Sequence, residues 1–227
     1  MLKAVVLLSG GLDSTVSLAF ALSQGYEVVP LSFRYGQRHS KELEAAKAVA
    51  AFYGLKGHVV VDLDLSSFET SALTSRRVDV PHGRTLDEMG ADIPATYVPA
   101  RNIIFLSIAA GLCETIDARA IFIGANAVDY SGYPDCRPEF FQAFERALQA
   151  GTKAGVEGRA IRIEAPILRK SKSEIVKLGK DLKAPLHLTW SCYEGREKAC
   201  GRCDSCLLRL KGFKQAGYQD EIPYEVE

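Results

Sequence analysis

The sequence predicts an α/β protein with a doubly wound, mainly parallel five-stranded sheet and helices on both faces. Two observations predict it: short runs of consecutive apolar residues recur along the chain, and segments with helical periodicity separate them. Consecutive apolar residues suit strands that are buried on both faces, which is typical of parallel sheets covered by helices. The alternation of strands and helices favours the doubly wound architecture.

The individual elements follow from these runs. The predicted strands are residues 3–9, 27–33, 57–63, 119–125 and 160–166. The predicted helices are residues 13–25, 40–54, 102–116, 137–151 and 171–182. Ser171, followed three residues later by Glu174, has the pattern of a capping box at a helix start.

Two segments break the alternation. Residues 64–96 form a long polar stretch, and such stretches are functional lids, substrate-side loops or disordered segments. Cysteines crowd the region after Trp190. We therefore predict an α/β domain over residues 1–185, followed by a small cysteine-bearing helical subdomain over residues 186–227.

Composition narrows the class of protein. The 227 residues contain 28 Lys and Arg and 28 Asp and Glu, so no net positive charge attracts nucleic acid or anionic membrane. No apolar run approaches the roughly 18 residues of a membrane helix. The N-terminal apolar core, residues 4–8, is too short for a signal peptide and is interpreted as the first strand. We expect a cytoplasmic protein with no nucleic-acid partner and no membrane partner.

The turn after the first strand, "SGGLDS" at residues 9–14, is the strongest candidate site. Ligands of doubly wound sheets bind where the first strand turns into its helix. Gly10 and Gly11 permit close approach of the backbone, and amides at a helix N-terminus attract anions. Ser9, Ser14 and Thr15 add hydroxyl donors. This combination predicts a site for a phosphate chain.

Two other phosphate motifs are absent from the sequence, namely G-x-x-x-x-G-K-[ST] and G-x-G-x-x-G. Asp13 beside a phosphate site would repel the ligand unless a divalent cation lay between them, which predicts Mg²⁺. The plainer interpretation is a tight glycine turn in which Asp13 caps a helix.

The cysteine cluster predicts a metal site. Four thiolates at the spacing Cys-x7-Cys-x2-Cys-x2-Cys can close a tetrahedral Zn²⁺ site and leave no open position for water, which indicates a structural metal. An iron–sulfur centre and a redox-active pair remain alternatives. The nearby basic residues are interpreted as a solvated face in preference to an RNA-contacting patch, and they are Arg196, Lys198, Arg202, Arg209 and Lys211. The four predicted ligands are Cys192, Cys200, Cys203 and Cys206.

Other polar residues fall where ligands are expected. Arg101 precedes a helix whose simplest N-cap is Asn102, and its guanidinium suits a phosphate or a carboxylate. Lys172 lies at a helix start, where a cation is unfavourable unless an anion binds. Residues 124–140 follow the fourth strand and offer a mixture of side chains that can stack on a flat ring and bind its hydrogen-bonding edge: Asn126, Asp129, Tyr130, Tyr133 and Asp135. A long loop of turn residues without a ligand is the equally weighted alternative.

The "SGGLDS" turn resembles the PP-loop of the N-type ATP pyrophosphatases, which cleave ATP between its α and β phosphates to adenylate a substrate oxygen. Three further motifs extend the resemblance: "FRYGQRH" (33–39), "TYVPARN" (96–102) and "GANAVDYSGYPDCRPEF" (124–140). In this order, and with the cysteine spacing, the chain is similar to the 7-cyano-7-deazaguanine synthase family of queuosine and archaeosine precursor biosynthesis.

The resemblance implies a carbon–nitrogen ligase. It would convert 7-carboxy-7-deazaguanine and ammonia into the nitrile through an adenylated carboxylate and an amide, using ATP, Mg²⁺ and a structural Zn²⁺. Residues 8–18 would hold ATP, residues 124–140 would recognise the deazapurine, and the chain would form a homodimer. Two rivals remain: a PP-loop tRNA-thiolating enzyme, which needs a catalytic cysteine such as Cys113 or Cys136, and a nucleotide sensor without turnover.

The predicted site residues therefore fall into two sets besides the four metal-binding cysteines. Catalytic roles are predicted for Ser9, Asp13, Ser14 and Arg101. Ligand contacts are predicted for Leu8, Ser9, Gly10, Gly11, Leu12, Asp13, Ser14, Thr15, Val16, Ser17, Leu18, Gly124, Asn126, Asp129, Tyr130, Asp135 and Lys172.

Overall fold

The computed structural model describes residues 1–65, 67–75, 77–85, 88–89, 93–128 and 133–225. A five-stranded sheet with the order β3-β2-β1-β4-β5 forms its centre, and every pair of neighbouring strands is parallel. This confirms the predicted fold class. The strands are β1 (Lys3–Leu7), β2 (Glu27–Arg34), β3 (Val59–Asp62), β4 (Ala120–Phe122) and β5 (Arg162–Glu164).

The five helices predicted by periodicity are present, and a further helix, α7 (Asp204–Ala216), lies in the cysteine-bearing subdomain that is predicted to be helical. A single turn, α5, follows α4 because the Thr152 side chain accepts a hydrogen bond from the Gly155 amide at 3.0 Å. None of the helices in the described ranges is long and apolar enough to cross a membrane. The helices are α1 (Leu12–Ser23), α2 (Lys41–Phe52), α3 (Arg101–Ile116), α4 (Pro138–Gly151), α5 (Lys153–Val156), α6 (Lys172–Asp181) and α7 (Asp204–Ala216).

Strand β1 is buried on both faces, as its consecutive apolar residues predict. Val5 packs into the core cluster beneath α3 and α4, whereas Val6 packs into the cluster beneath α1 and α2. Successive side chains of a strand point to opposite faces, so both faces must be apolar. Full burial of each such side chain stabilises the fold by about 1.5–3 kcal/mol.

The strand order reverses beside β1, which pairs with β2 on one side and with β4 on the other. Connections leave such a point toward opposite faces of the sheet and open a crevice at the carboxyl ends of the strands. The fold therefore places three chain segments around one crevice: the turn after β1, residues 35–40 after β2, and residues 123–128 after β4.

The cysteine-bearing region packs against the turn after β1. The Trp190 amide donates to the Gly10 carbonyl at 2.9 Å. Described parts of the polar segment 64–96 join this region, since the Gly83 amide donates to the Arg202 carbonyl at 2.9 Å and Arg84 pairs with Asp204. Part of this segment is thus anchored on the cysteine-bearing region.

One basic residue lies elsewhere than the sequence indicates. Arg209 is interpreted above as part of a solvated face, but its side chain is buried. Its Nε donates to Asp220 at 2.6 Å and one Nη donates to Thr189 at 2.7 Å. A buried guanidinium needs such partners, so Arg209 ties α7 to the chain on either side of it.

Candidate functional site

A pocket opens at the carboxyl edge of the sheet, where β1, β2 and β4 end. One side is built from the turn after β1 and the start of α6. The other side is built from aromatic residues of β2 and α3. The cysteine-bearing region closes a third side with Trp190 and Tyr193.

Gly10 fixes the shape of the turn. Its φ of 88° lies in the left-handed region, and a Cβ there would lie 2.1 Å from the Glu42 carbonyl oxygen. Only glycine fits this position. The turn is also held by its serines, because Ser9 Oγ accepts from the Gly11 amide at 3.2 Å and Ser14 Oγ donates to the Gly11 carbonyl at 3.1 Å.

The first amides of α1 border the pocket. Amides of a first helical turn lack acceptors within the helix, and they carry the positive end of its dipole. Gly124 packs closely behind this turn, since a Cβ on it would lie 2.6 Å from the Ser14 amide nitrogen. Together with the Ser9 and Ser14 hydroxyls, which lie 3.0 Å apart, these amides form a donor set that fits an anion.

Asp13 and Lys172 form an ion pair in this part of the pocket. Lys172 Nζ lies 2.9 and 2.8 Å from the two carboxylate oxygens. The capping box of Ser171 and Glu174, which the structure confirms, begins α6 at Lys172 and orients it toward Asp13. Lys172 therefore already offsets the charge of Asp13. Because of this pair, Asp13 does not require a Mg²⁺ ion in order to lie beside a phosphate group.

The structure separates the predicted stretch 8–18 into two groups. Pocket-lining residues are Leu8, Ser9, Gly11, Leu12, Asp13 and Ser14, and Arg101, Gly124, Asn126 and Lys172 line it with them. Gly10 is buried beneath α2. Helix α1 turns four further predicted contacts into the core, where they do not line the pocket, and their contact with a ligand stays a prediction: Thr15, Val16, Ser17 and Leu18.

Asp135 does not line the pocket, and its contact with a ligand stays a prediction. Two of its predicted neighbours, Asp129 and Tyr130, lie outside the described residues. Asp135 is buried, and its carboxylate accepts from the Asn102 amide at 3.1 Å. It therefore caps α3 in place of Asn102, which lies inside the helix. Burial raises the pKa of Asp135, against the Asn102 hydrogen bond and Arg101.

The far side of the pocket has flat walls. Phe33 and Phe105 stack with ring centroids 4.0 Å apart and planes 6° apart, and Tyr35 meets Phe105 edge-on at 5.4 Å. Arg101 donates to the Tyr35 hydroxyl at 3.4 Å and forms no ion pair within the described part of the chain. An arginine beside aromatic rings suits a flat ligand that carries a carboxylate.

Sequence reasoning missed Glu42, which lies in the first turn of α2 and lines the pocket. Among the described residues, its carboxylate makes no hydrogen bond and no ion pair. Burial raises the pKa of Glu42 to about 7, although Arg101 lowers it, and the nearby Cys192 raises it further. A usable signal was that this helix starts directly after "FRYGQRH", at the ligand edge of β2.

Two cysteines outside the cluster are buried thiols. Cys136 lines the pocket, and Cys113 lies in the core. Burial raises the pKa of each thiol to about 12. Since the thiolate is the nucleophile, neither residue is suited to nucleophilic chemistry near neutral pH.

The four clustered cysteines are brought together as predicted. Their sulfurs lie within 4.8 Å of one another and all four residues are buried. Backbone amides point at the sulfurs, since Cys200 and Glu194 donate to Cys192 Sγ at 3.3 and 3.4 Å. Hydrogen bonds from Cys203 and Cys206 hold the pKa of Cys192 below its usual range. This buried, thiolate-stabilising donor set fits one tetrahedral metal ion.

Comparisons with known proteins agree with this arrangement. A family model described as "Queuosine biosynthesis protein QueC" matches residues 3–217. The 7-cyano-7-deazaguanine synthase of Acetivibrio thermocellus is 59% identical over 224 residues, covering 99% of this chain and 98% of that protein. That of Picrophilus torridus is 60% identical over 225 residues, covering 99% and 92%.

A solved structure supports the fold alone. The predicted subunit of a tRNA methyltransferase from Methanocaldococcus jannaschii has a TM-score of 0.50 and 18% identity, covering 97% of this chain and 91% of its own. The family match and the relatives span nearly the whole chain, including the turn after β1 and the four cysteines. The chain belongs to the QueC family of queuosine biosynthesis proteins.

Proposed function

We propose that the protein is an ATP-dependent 7-cyano-7-deazaguanine synthase, a carbon–nitrogen ligase of queuosine biosynthesis. It converts 7-carboxy-7-deazaguanine and ammonia into the nitrile through an adenylated carboxylate and an amide. The proposal rests on sequence identity: this chain is about 60% identical, over nearly its full length, to two proteins named 7-cyano-7-deazaguanine synthase. The pocket supports it by joining an anion site to a flat-walled arginine site.

ATP phosphates fit the side of the pocket formed by the start of α1. The first amides of that helix, with Ser9 and Ser14, donate to the phosphate oxygens. Lys172 adds positive charge beside them. These donors stabilise the pyrophosphate as it leaves, because its charge grows when the bond to the α-phosphorus breaks.

The deazapurine fits the aromatic side. Phe33 and Phe105 present apolar surface to the flat ring, and the Arg101 guanidinium binds its carboxylate. A carboxylate held there and a triphosphate held on α1 share one pocket, so a carboxylate oxygen can attack the α-phosphorus. Positioning of this kind converts a bimolecular step into one within a complex.

We further propose that the four cysteines hold a structural Zn²⁺ and that Mg²⁺ accompanies ATP. The zinc would stabilise the region that carries Trp190, whose amide bonds the Gly10 carbonyl at 2.9 Å. The homodimer, the cytoplasmic location, the absence of nucleic-acid binding and the boundary at residue 185 belong to the same proposal.

The thiolation rival is disfavoured by one observation. Such an enzyme needs a reactive cysteine near the nucleotide, and the pKa of the pocket-lining Cys136 is raised to about 12 by burial. The four cluster cysteines are buried with their sulfurs within 4.8 Å of one another, so they suit a metal site better than a nucleophile.

The test of the proposed function is a substrate-profiling assay on the purified protein with ATP and ammonium. Pyrophosphate, AMP and the nitrile should appear when 7-carboxy-7-deazaguanine is added and not when it is left out. Addition of tRNA in place of the base should release no pyrophosphate. Release of inorganic phosphate alone, or turnover that ignores the base, would overturn the proposal.

A further inference from the structure

The carbon–nitrogen chemistry that the proposed function requires leaves one task without a residue. When ammonia adds to the carbonyl carbon of the acyl adenylate, the nitrogen carries an excess proton. That proton must leave before the bond to AMP breaks and the amide forms. The amide nitrogen then carries two protons, of which one leaves when the amide oxygen is adenylated to a neutral imidate and the other must leave when the imidate loses AMP and the nitrile forms. A general base in the pocket would serve both steps.

Asp13 and His39 are poor candidates for this task. Asp13 and Glu42 are the acidic residues among the described residues that line the pocket. The Asp13 carboxylate is occupied on both oxygens by Lys172. His39 is packed so closely that a Cβ on Gly195 would lie 2.1 Å from its ring, and burial lowers its pKa.

Glu42 lines the pocket at the turn after β1. Its backbone carbonyl packs against Gly10, which places the residue beside the phosphate-binding turn. Its side chain lines the same pocket as Arg101 and interacts with that guanidinium through its charge. Within the described chain, the carboxylate has no hydrogen-bond donor, and none of the four cluster sulfurs bonds to it. Its acceptor oxygens are therefore available to a ligand.

We propose that Glu42 is the general base of carbon–nitrogen bond formation, which accepts a proton from the attacking nitrogen. This inference rests on the proposed function. In the first step, the nitrogen–carbon bond forms, one nitrogen-bound proton moves to Glu42, and the carbon–oxygen bond to AMP breaks with its electron pair leaving on AMP. Glu42 then releases its proton to solvent. When the amide oxygen attacks a second ATP and displaces pyrophosphate, one of the two nitrogen protons leaves to solvent and a neutral O-adenylyl imidate remains. In the second step, Glu42 accepts the last nitrogen-bound proton from this imidate, the carbon–oxygen bond breaks with its electron pair leaving on AMP, and the carbon–nitrogen triple bond forms.

The surroundings of Glu42 suit this role. The charged and titratable groups that face it are Arg101 from α3, Tyr35 directly after β2 and Cys192 from the cysteine cluster, with His39 lining the pocket nearby. Burial outweighs Arg101 and raises the pKa of Glu42 to about 7. A base is most effective when its pKa lies near the working pH.

The test separates adenylation from carbon–nitrogen bond formation. Exchange of labelled pyrophosphate into ATP, measured with the 7-carboxy base and without ammonium, reports adenylation alone. Amide and nitrile formation at a fixed concentration of free NH₃ reports the later steps. The variants are Glu42→Gln, the conservative Glu42→Asp, and the control Glu44→Gln on the exposed side of the same turn of α2.

Glu42→Gln should keep exchange within about threefold while kcat for amide formation falls about a hundredfold or more, with KM for the base little changed. The wild-type rate should rise with pH through about 7. The rate of the Glu42→Gln variant should not rise with pH in this range, and Glu42→Asp should restore part of the rise. Glu44→Gln should match the wild type.

If Glu42→Gln formed amide and nitrile at the wild-type rate, while the wild-type protein showed base-dependent exchange, the inference would be overturned and the proposed function would stand. A parallel loss of exchange and of base affinity would also overturn it, because that result assigns Glu42 to binding. A wild-type protein without base-dependent exchange would overturn the proposed function and the inference with it.

Discussion

Lys172 Nζ lies 2.9 and 2.8 Å from the two carboxylate oxygens of Asp13, although 158 residues separate the two positions in the chain. The pair joins the start of α6 to the first turn of α1, beside the serines of the phosphate-type site. Asp13 can therefore lie beside phosphate without repelling it, because the lysine balances its charge.

Replacement of Lys172 by methionine should raise KM for ATP at least tenfold, because it leaves the Asp13 carboxylate unpaired beside the phosphates, which costs more than about 1.4 kcal/mol. Steady-state kinetics with varied ATP checks this. Lys177→Met, on the exposed face of the same helix, serves as the control and should leave KM unchanged. Equal effects of the two substitutions would remove Lys172 from the nucleotide site.

Gly10→Ala should abolish ATP binding and destabilise the fold, because the added Cβ would lie 2.1 Å from the Glu42 carbonyl oxygen. Gly25→Ala is a matched control, since Gly25 has a φ of 78° but open space around it. The control should cost about 1 kcal/mol from backbone strain alone and keep nucleotide affinity. Thermal unfolding and calorimetric titration with ATP measure both effects, and similar losses in the two variants would contradict the close packing of the turn.

Removal of the metal should disturb the pocket as well as the cysteine region, because the Trp190 amide bonds Gly10. Trp190 is the sole tryptophan of the sequence, so its fluorescence reports on this contact directly. We expect about one zinc per chain by elemental analysis, and a strong chelator should shift Trp190 emission to the red and weaken ATP binding. Iron with visible absorbance would contradict the zinc assignment, and unchanged emission after metal loss would contradict the coupling.

The raised pKa of Glu42 predicts a pH dependence of stability. Between its ordinary pKa of 4.5 and about 7, the folded state holds a proton that the unfolded state has lost. The free energy of unfolding therefore falls as pH rises through this window. The Glu42→Gln variant has no carboxyl to deprotonate, so its free energy of unfolding does not fall in this way. At pH 8 it should be more stable than the wild type by on the order of 1–3 kcal/mol, and the difference should shrink toward pH 5.

Chemical denaturation at the two pH values, followed by Trp190 fluorescence, measures this difference. Glu44→Gln is the control and should show no such trend. A difference for Glu42→Gln that is the same at both pH values would show that the carboxyl is not held in its neutral form by burial.

Much of the fold followed from local pattern. Consecutive apolar residues predicted β1 and its neighbours because burial on both faces demands them, and the Ser171 capping box predicted the start of α6 from residues three apart. The pocket beside the turn after β1 also followed, since crevices of such sheets open where the strand order reverses.

What the pattern could not predict depends on packing between distant segments. The phase of α1 turned Thr15 and Ser17 into the core, although their residue types suit phosphate. Asp135 became the cap of α3 because the two segments meet in space. The start of α2 after "FRYGQRH" places Glu42 at the ligand edge of the sheet, but the contact of its backbone carbonyl with Gly10 depends on how α2 packs against the turn after β1.

In the proposed reaction, the carboxylate of the deazapurine attacks the α-phosphorus of ATP bound at the turn after β1. The most direct measurement labels both carboxylate oxygens of 7-carboxy-7-deazaguanine with ¹⁸O and analyses the nucleotide product by mass spectrometry. We expect AMP that carries ¹⁸O, with pyrophosphate unlabelled. Unlabelled AMP, or ADP with labelled inorganic phosphate, would contradict it.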